Sequence, residues 1–312
     1  NTGADITIME EASEFIERVQ NNGVLPMITS CSPGWIKYIE MNYPELLPHL
    51  STCKSPHQMF GALIKTYFAQ KEGIDPNKIY VVSVMPCVAK KFERQREEMQ
   101  VNGLADVDNV ITTREIARMI KQASIEFTDL EDEEFDNPMG EATGAAAIFG
   151  TTGGVMEAAL RTAQDILTCQ DLPKIEFEAV RGGDGIKKAT VNVAGNDITV
   201  VAASGLANAQ KIMEEIKTGK ADYQFVEIMA CPGGCIMGGG QPIKSSKIRR
   251  EVDVRKLRAE ALYSIDEKSV IRKSHDNPVV KKIYQEFLQR PGSHKAHELL
   301  HTHYIEREKY NI

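Results

Sequence analysis

Residues 223–242 read YQFVEIMACPGGCIMGGGQP, an apolar run that ends in a loop with two cysteines and a series of glycines. Two other stretches have the same order, a predicted strand followed by a cysteine: LPMITSC at 25–31 and KIYVVSVMPC at 78–87. Ligand sites in open α/β sheets gather at the carboxyl ends of strands. We therefore expect the three cysteine loops to meet at one point of an α/β fold.

The rest of the chain alternates helical and strand patterns, which predicts a mixed α/β fold with parallel layers. No internal repeat or low-complexity linker marks a domain boundary. The predicted helices are 8–20, 35–43, 89–99, 114–123 and parts of the polar segment after residue 250; the predicted strands are 25–29, 78–84, 109–113, 223–229 and a hairpin over 189–204.

The composition is that of a globular protein with an acidic surface. The net charge of −7 argues against nucleic acid or an anionic membrane as the main partner. The apolar runs are too short to span a bilayer, and no secretion signal opens the chain, so we expect a cytoplasmic protein without a membrane span. The chain runs into a helix without an initiator methionine, which is typical of a fragment or a processed form.

Six cysteines in 312 residues are too few for a disulfide scaffold, so metal binding or catalysis is favoured where they cluster. Cys53 and Cys169 have no glycine or proline context, and we expect them to be ordinary buried residues. The cysteines of the predicted loops are better candidates for chemistry.

Cys231 and Cys235 lie in a glycine-rich loop whose backbone can approach a bulky group and donate hydrogen bonds to cluster sulfides. Cys87 precedes Lys90 and Lys91, whose charge lowers a thiol pKa or balances an anionic cofactor. The C-x₃-C spacing favours an iron–sulfur cluster over tetrahedral zinc, which prefers closely paired C-x-x-C and is the competing metal.

The three loops resemble the signature loops of the [FeFe]-hydrogenase catalytic domain: TSCCPxW, MPCxxK and ExMACxxGCxxGGGQP. Here they read TSCSPGW, MPCVAK and EIMACPGGCIMGGGQP. The resemblance also takes in KSPHQMFGALIKTYF, ITTREIARMIK, MGEATGAAAIFGTTGGVMEAALR, KSHDNP and AHELLH, and so covers essentially the whole chain. It implies one domain over 1–312, with two intimately packed sheet-containing lobes enclosing a buried iron–sulfur cofactor at strand ends.

The implied cofactor is an H-cluster, a [4Fe–4S] cubane joined to a diiron unit with CO, cyanide and azadithiolate ligands. Cys87, Cys231 and Cys235 match cubane ligands, and Cys235 matches the bridging thiolate. Cys31 matches the proton-relay cysteine, and Ser32 stands at the fourth ligand position. A hydroxyl binds soft iron weakly. Ser32 therefore binds as alkoxide, gives way to water or leaves a three-iron cluster, or Cys31 becomes the ligand.

By the same resemblance, further side chains surround the cofactor. Met85 and Met229 match methionines that pack around the cluster, although as ordinary residues they are core fillers. Lys90 matches a lysine that hydrogen-bonds a cyanide ligand, a charge-assisted contact. The residues that match the wall of the diiron pocket are Pro56, Phe149 and His57, the last standing where other members often carry glutamine.

Glu11, Glu14 and Arg18 form one stripe of the first helix, next to its apolar face. From these residues alone, a solvated salt-bridge stripe is the favoured interpretation. The resemblance implies instead a proton pathway from Cys31 through a water, Glu11, Ser51 and Glu14 to Arg18 at the surface. Carboxylates and hydroxyls suit this task because both donate and accept protons.

The implied function is the reversible reduction of protons to H₂, part of electron transport in anaerobic hydrogen metabolism. Ferredoxin or another redox protein is the expected electron partner. We expect the chain to be truncated at its N-terminus relative to the family domain, without accessory ferredoxin-like domains. Two alternatives stay open: a non-catalytic sensory or cluster-assembly relative, which Ser32 favours, and a zinc-binding interaction module.

Two further motifs are weak. HELLH at 297–301 fits the zinc-protease pattern, but the sequence offers no evident third ligand. FGTTGGVMEAAL at 149–160 is a glycine-rich turn before a helix without the ending of a phosphate loop, and we expect its backbone to pack against the cofactor.

Overall fold

The computed structural model describes residues 2–140, 142–170, 181, 185–193 and 195–309. The largest β-sheet among these residues has four strands. Its strand order is β1-β8-β7-β6; β1, β8 and β7 are parallel and β6 is antiparallel to β7. The strands are β1 Met27–Ile28, β6 Ile186–Val193, β7 Asn196–Ser204 and β8 Phe225–Met229.

Both faces of this sheet are covered, because β8 and most of β7 are buried along their length. Phe225 and Val200 pack with Met156 and Leu160 on one side. On the other side Val226 and Ile228 belong to a cluster with Trp35, Ile39 and Ile212.

A second, two-stranded parallel sheet pairs β2 Val82–Met85 with β5 Asn109–Thr112. A short antiparallel pair, β3 Gln100–Val101 and β4 Leu104–Ala105, lies between them in the chain. The carboxyl ends of β1, β8 and β2 lead directly into the three cysteine loops. The observed fold is the mixed α/β fold that the sequence predicts.

The helices are α1 Thr2–Gln20, α2 Pro33–Asn42, α3 Pro56–Leu63, α4 Ala69–Glu72, α5 Lys90–Glu93, α6 Thr113–Gln122, α7 Gly144–Ile148, α8 Gly154–Thr168, α9 Leu206–Lys217, α10 Ser246–Glu251, α11 Val254–Lys268, α12 Pro278–Ile283 and α13 His294–Leu300. The first helix is central to the molecule. Its Ile6 packs with residues of α3, α12 and α13, Ile8 packs with α7 and α8, and Phe15 packs with α8 and β8.

Several predicted boundaries shift. The strand over 78–84 is observed at Val82–Met85, because pairing with β5 begins only at Val82. The helix over 89–99 is confined to Lys90–Glu93: Arg96 turns inward to pair with Glu40, a tertiary contact that overrides local helical preference. The hairpin over 189–204 is confirmed apart from Ala194, which lies outside the described residues.

Candidate active site

A cavity of about 280 Å³ lies where the loops after β1, β2 and β8 meet. The three cysteine loops therefore converge, as the strand-end argument predicts. Eleven of the predicted site residues line this cavity: Cys31, Ser32, Pro56, His57, Met85, Cys87, Lys90, Phe149, Met229, Cys231 and Cys235. The other four, Glu11, Glu14, Arg18 and Ser51, are not among the lining residues.

Three thiols, those of Cys87, Cys231 and Cys235, face the same space from two different loops. Burial raises the pKa of Cys235 to about 12, and the neighbouring Cys87 and Cys231 add to the rise against the opposing charge of Lys90. Thiols in this state need metal to become thiolates. Three soft donors around one cavity fit an iron–sulfur cluster.

The spacing of these sulfurs does not fit a single small ion. In tetrahedral zinc sites with Zn–S of about 2.3 Å, ligand sulfurs lie roughly 3.8 Å apart. Among the described residues, the one His/Cys/Asp/Glu group whose ligand atoms all lie within 4.8 Å of one another is Glu14, Cys53 and His301. The three loop sulfurs do not all lie within this distance of one another, which suits ligands on separate irons of a cluster better than ligands of one ion.

The glycines of the third loop serve its packing against the other loops. A Cβ at Gly238 would lie 2.2 Å from the Pro86 carbonyl oxygen, so that only glycine allows loops two and three to approach. At Gly234, whose φ is +90°, a Cβ would lie 2.7 Å from the Gly150 carbonyl oxygen in the turn before α8. The sequence predicts that these glycines let the backbone approach the cofactor. Their role in packing the loops against each other was not predicted.

Ser32 lines the cavity, but its hydroxyl is already engaged. Its oxygen accepts a hydrogen bond of 3.2 Å from the Ala230 backbone N–H. This contact ties the first loop to the end of β8. A bond from the Ser32 oxygen to a metal would compete with this hydrogen bond.

Cys31 also lines the cavity. It packs against an apolar group that includes Ala146, Phe149 and Met229. Burial raises the pKa of its thiol well above the ordinary value, and the carboxylate of Glu11 adds to this effect. A neutral thiol near the Glu11 carboxyl suits proton exchange.

Lys90 belongs to a buried network that centres on Glu93, a residue that sequence reasoning missed. The Lys90 ammonium donates to both Glu93 oxygens, at 3.0 and 2.9 Å, and to the Cys31 carbonyl at 3.0 Å. Glu93 also accepts from Ser55 and His57, at 2.9 and 2.5 Å. Burial alone would raise the pKa of Glu93, but Lys90 and His57 outweigh it and lower the pKa to about 2.

Both ring nitrogens of His57 have hydrogen-bond partners in this part of the structure. Its Nε2 faces Glu93, and its Nδ1 lies 3.0 Å from the Ser83 hydroxyl. Burial and the Lys90 charge lower its pKa, so the neutral ring donates from Nε2 and accepts at Nδ1. Although His57 lines the cavity, its ring nitrogens are occupied away from it.

The stripe of α1 is largely withdrawn from solvent, because Glu11 is buried and Glu14 and Arg18 are half-buried. The interpretation as a solvated stripe is therefore wrong, although the salt bridge between Glu14 and Arg18 is present. Glu11 is 1% exposed, and one of its oxygens has no partner among the described residues. Burial, with help from the Glu14 and Glu227 charges, raises its pKa to about 8. A buried carboxyl with this pKa exchanges protons near neutral pH.

Ser51, Glu14 and Arg18 continue from Glu11 toward the exterior. The Ser51 hydroxyl donates to Glu14 at 2.9 Å, and Arg18 donates to Glu14 at 2.6 Å. The Arg18 side chain is 14% exposed and also donates to the Leu50 carbonyl at 2.7 Å. The resemblance implies Arg18 at the surface, and the structure places it partly below the surface.

Glu227 is a second missed carboxylate. It is fully buried in β8 and accepts from the backbone N–H groups of Gly153 and Met156, at 2.6 and 2.8 Å. Burial raises its pKa to about 7. It fixes the start of α8 against the sheet, and its only sequence signal is the glutamate that opens the third signature loop.

The two cysteines outside the loops differ. Cys53 is buried as predicted, whereas Cys169 is exposed at the end of α8, where its φ of +52° terminates the helix. In HELLH, His301 follows the last residue of α13, and its ring nitrogens contact Thr52 and Glu10. The geometry of a zinc-protease helix is therefore absent from this part of the described chain.

Comparison with known families identifies the chain. Residues 1–239 match the model of the iron-only hydrogenase large subunit, C-terminal domain, and residues 252–307 match that of the iron hydrogenase small subunit. The chain belongs to the iron-only hydrogenase large-subunit family, as the loops predict, and this membership supports an iron–sulfur cofactor. No described helix has both the length and the apolar character needed to cross a membrane.

Curated relatives include iron hydrogenase 1 from Clostridium pasteurianum, 51% identical over 97% of this chain and 53% of the relative. The NADP-reducing hydrogenase subunit HndD from Solidesulfovibrio fructosivorans is 50% identical over 98% of this chain and 52% of the relative. The chain thus spans about half the length of these proteins. Protein NAR1 from Arabidopsis thaliana is 35% identical over 96% of this chain and 68% of the relative.

Solved structures support the same fold. A variant of the [FeFe]-hydrogenase HydA1 from Chlamydomonas reinhardtii, in its apo form, is 42% identical and superimposes with a TM-score of 0.84. The match covers 99% of this chain and 84% of that one.

Proposed function

We propose that residues 1–312 form an [FeFe]-hydrogenase catalytic domain that interconverts protons, electrons and H₂. The observation that carries the proposal is the convergence of Cys87, Cys231, Cys235, Cys31 and Lys90 on one cavity. None of the four cysteines is in a disulfide in the described part of the chain, and Lys90, which pairs with Glu93, lines the same cavity. The two-lobed arrangement around the cofactor is part of the proposal.

The residues present fit the H-cluster. Cys87, Cys231 and Cys235 would hold the [4Fe–4S] cubane, and Cys235 would bridge to a diiron unit with CO, cyanide and azadithiolate ligands. When bound, this group supplies the electron transfer and the H–H bond chemistry. Met85, Met229, Pro56 and Phe149 exclude water around it, and the Lys90 ammonium offers a positive charge to an anionic ligand.

His57 acts on Lys90 rather than on the cofactor. It donates to Glu93, and Glu93 holds the Lys90 ammonium in place. These contacts hold the Lys90 side chain in one conformation, with its ammonium at the cavity wall.

The chain's own residues move the proton. Cys31 exchanges it with Glu11 across the space beside the unpaired Glu11 oxygen, which a water can occupy. Ser51 and Glu14 carry it onward, and Arg18 holds Glu14 by an ion pair of 2.6 Å. The pKa of about 8 lets Glu11 both take up and release a proton at neutral pH.

Ferredoxin or another redox protein is the proposed electron partner, in anaerobic hydrogen metabolism in the cytoplasm. Cys231 is half-buried and its neighbour Pro232 is exposed. An electron carrier can therefore come close to the proposed cubane at this loop.

The proposal is tested by anaerobic reconstitution of the cluster, loading of the diiron unit and measurement of H₂ evolution. The comparison is between this chain and its Ser32→Cys variant, with iron counted per protein in both. We expect a fuller cubane and higher H₂ evolution in the variant. H₂ evolution from neither protein at full iron content would overturn the proposal.

A non-catalytic iron–sulfur relative is the second candidate function. The observation in its favour is Ser32, whose oxygen is bound to the Ala230 N–H at a position where the family carries a ligand thiol. Full iron loading with no activity in either protein would establish it. A zinc-binding interaction module has less support, because the three loop sulfurs do not all lie within 4.8 Å of one another.

A further inference from the structure

A group of potential metal ligands lies outside the cavity, beside α1. The backbone of 52–54 pairs with that of 300–302, which places Cys53 directly opposite His301. Two hydrogen bonds hold this pair of segments, from Lys54 N–H to the Leu300 carbonyl at 2.8 Å and from Thr302 N–H to the Thr52 carbonyl at 2.7 Å. Glu14 reaches the pair from α1. The three side chains are therefore positioned by backbone structure.

The distances suit a single ion. One ligand atom each from Glu14, Cys53 and His301 lies within 4.8 Å of the others. The Cys53 sulfur is 3.7 Å from a Glu14 oxygen, close to the roughly 3.5 Å between sulfur and oxygen ligands of tetrahedral zinc. Thiol, imidazole and carboxylate are the ligand types that zinc takes in proteins.

The histidine has the second contact that metal-binding histidines usually have. The Glu10 carboxylate lies 3.1 Å from His301 Nε2 and is itself fixed by the Tyr284 hydroxyl at 2.6 Å and the Gly292 N–H at 2.8 Å. Glu10 thereby keeps the proton on Nε2 and leaves the lone pair on Nδ1. In the structure Nδ1 lies 2.7 Å from the Thr52 hydroxyl, which can rotate away.

We propose that Glu14, Cys53 and His301 bind one divalent cation of the zinc type and that this cation inhibits the enzyme. Binding forms a metal–sulfur bond and releases the Cys53 thiol proton to solvent. The bound cation occupies Glu14 and so removes it from proton transfer. The inhibitory part rests on the proposed function, whereas the binding part does not.

The ion can reach this site from the surface. The exposed His297 ring lies against that of His301, with centroids 4.0 Å apart and the ring planes tilted by 33°. It places a second imidazole at the entrance. The HELLH motif thus contributes its second histidine, His301, to the site. The other two ligands, Glu14 and Cys53, come from other parts of the chain, unlike the ligands of a zinc-protease helix.

Binding is tested first without any H-cluster, with Co²⁺ as the spectroscopic probe. The protein is a variant that keeps Cys53 as its only cysteine, through Cys31→Ala, Cys87→Ala, Cys169→Ser, Cys231→Ala and Cys235→Ala. We expect one equivalent of Co²⁺ with a thiolate-to-metal absorption band, lost on adding Cys53→Ser. No such band in the folded single-cysteine protein would overturn the proposal.

If that variant does not fold, the chain with all its cysteines gives the answer. Zinc stoichiometry by chelator competition should fall by one site in Cys53→Ser and stay unchanged in the matched control Cys169→Ser. Glu10→Gln should weaken this one site by about 10- to 100-fold, as second contacts of metal ligands do. Equal zinc binding by the Cys53→Ser variant and the control would refute the site.

Inhibition is tested on the loaded enzyme. Zinc should suppress H₂ evolution reversibly in the parent chain, with at least about a tenfold weaker effect in Cys53→Ala. Equal inhibition of both would refute the inhibitory role even where binding is present. Absence of H₂ evolution from all loaded proteins would instead refute the proposed function and leave the metal site to the Co²⁺ and zinc results.

Discussion

Buried ionisable side chains are the feature that distinguishes this chain at the level of single residues. The pKa values of Glu11 and Glu93, both buried, are shifted in opposite directions. Glu11 has no cationic partner in contact and is held in a state that favours its neutral form. Glu93 touches Lys90 and is held as an anion. One site thus contains a carboxyl that exchanges protons and a carboxylate that does not.

The Glu11 perturbation makes stability depend on pH. Its pKa rises from 4.5 to about 8 on folding, so the unfolded chain ionises first and stability falls as pH rises from about 4.5 to 8. The full effect is on the order of 5 kcal/mol. We expect Glu11→Gln to lose this dependence, which urea unfolding at pH 5 and pH 9 measures. The same change at the exposed Glu131 should leave the dependence as in the parent; a parallel loss there would contradict the assignment.

Glu93 should behave in the opposite way. Its lowered pKa gives stability that is present above about pH 4.5 and lost as pH falls toward 2. Glu93→Gln leaves the Lys90 ammonium buried without its anion, and we expect a loss of about 3 kcal/mol at pH 7. Urea unfolding measures it against Glu260→Gln, which alters an exposed pair at 3.8 Å with Lys256. Equal small losses in both variants would show that Lys90 does not need Glu93.

At the level of loops and strands, the close approach of loops two and three is the most demanding feature. A Cβ at Gly238 would lie 2.2 Å from the Pro86 oxygen, whereas at the adjacent Gly239 the nearest atom is a Val88 methyl at 3.5 Å. We expect Gly238→Ala to cost about 1–3 kcal/mol and to reduce iron loading, because it separates Cys87 from Cys235. Gly239→Ala is the matched control, with stability and iron close to the parent. Normal iron loading in Gly238→Ala would mean that the loops can adjust.

The sequence predicts where the strands end better than where the helices run. Cysteines after apolar β runs place the three loops on one cavity, because parallel strands bring their carboxyl ends together. The helix predicted over 89–99 is wrong beyond Glu93, because Arg96 pairs with Glu40. This partner is 56 residues away, and no local sequence pattern indicates it. Glu227 was missed for the same reason, since Gly153 and Met156 are distant in sequence. Glu93 has a local partner in Lys90, but Ser55 and His57, which complete its network, come from a distant segment. The buried state of Glu11 likewise depends on packing around α1 rather than on its own stripe.

Buried polar contacts join the two ends of the whole molecule. Asp5 of α1 accepts from Ser274 and Asn277, at 2.7 and 3.1 Å, and Arg161 of α8 pairs with Asp266 of α11 at 2.8 Å. The segment after residue 251 is therefore fastened to the body by buried, charge-assisted hydrogen bonds. By contrast, residues 242–251 that precede it are exposed.

This arrangement agrees with the two family models, which divide the chain into a large-subunit part over 1–239 and a small-subunit part over 252–307. We expect that a protease site inserted after Ile243 can be cleaved without separation of the two fragments. The buried contacts should hold the fragments together after the peptide bond is broken. Size-exclusion chromatography of the cleaved protein should give one peak at the parent position. Asp5→Ala removes the acceptor of Ser274 and Asn277 and should promote separation after cleavage, while the uncleaved variant stays intact. Separation of the parent fragments under native conditions would show that the C-terminal segment is held by its covalent connection alone.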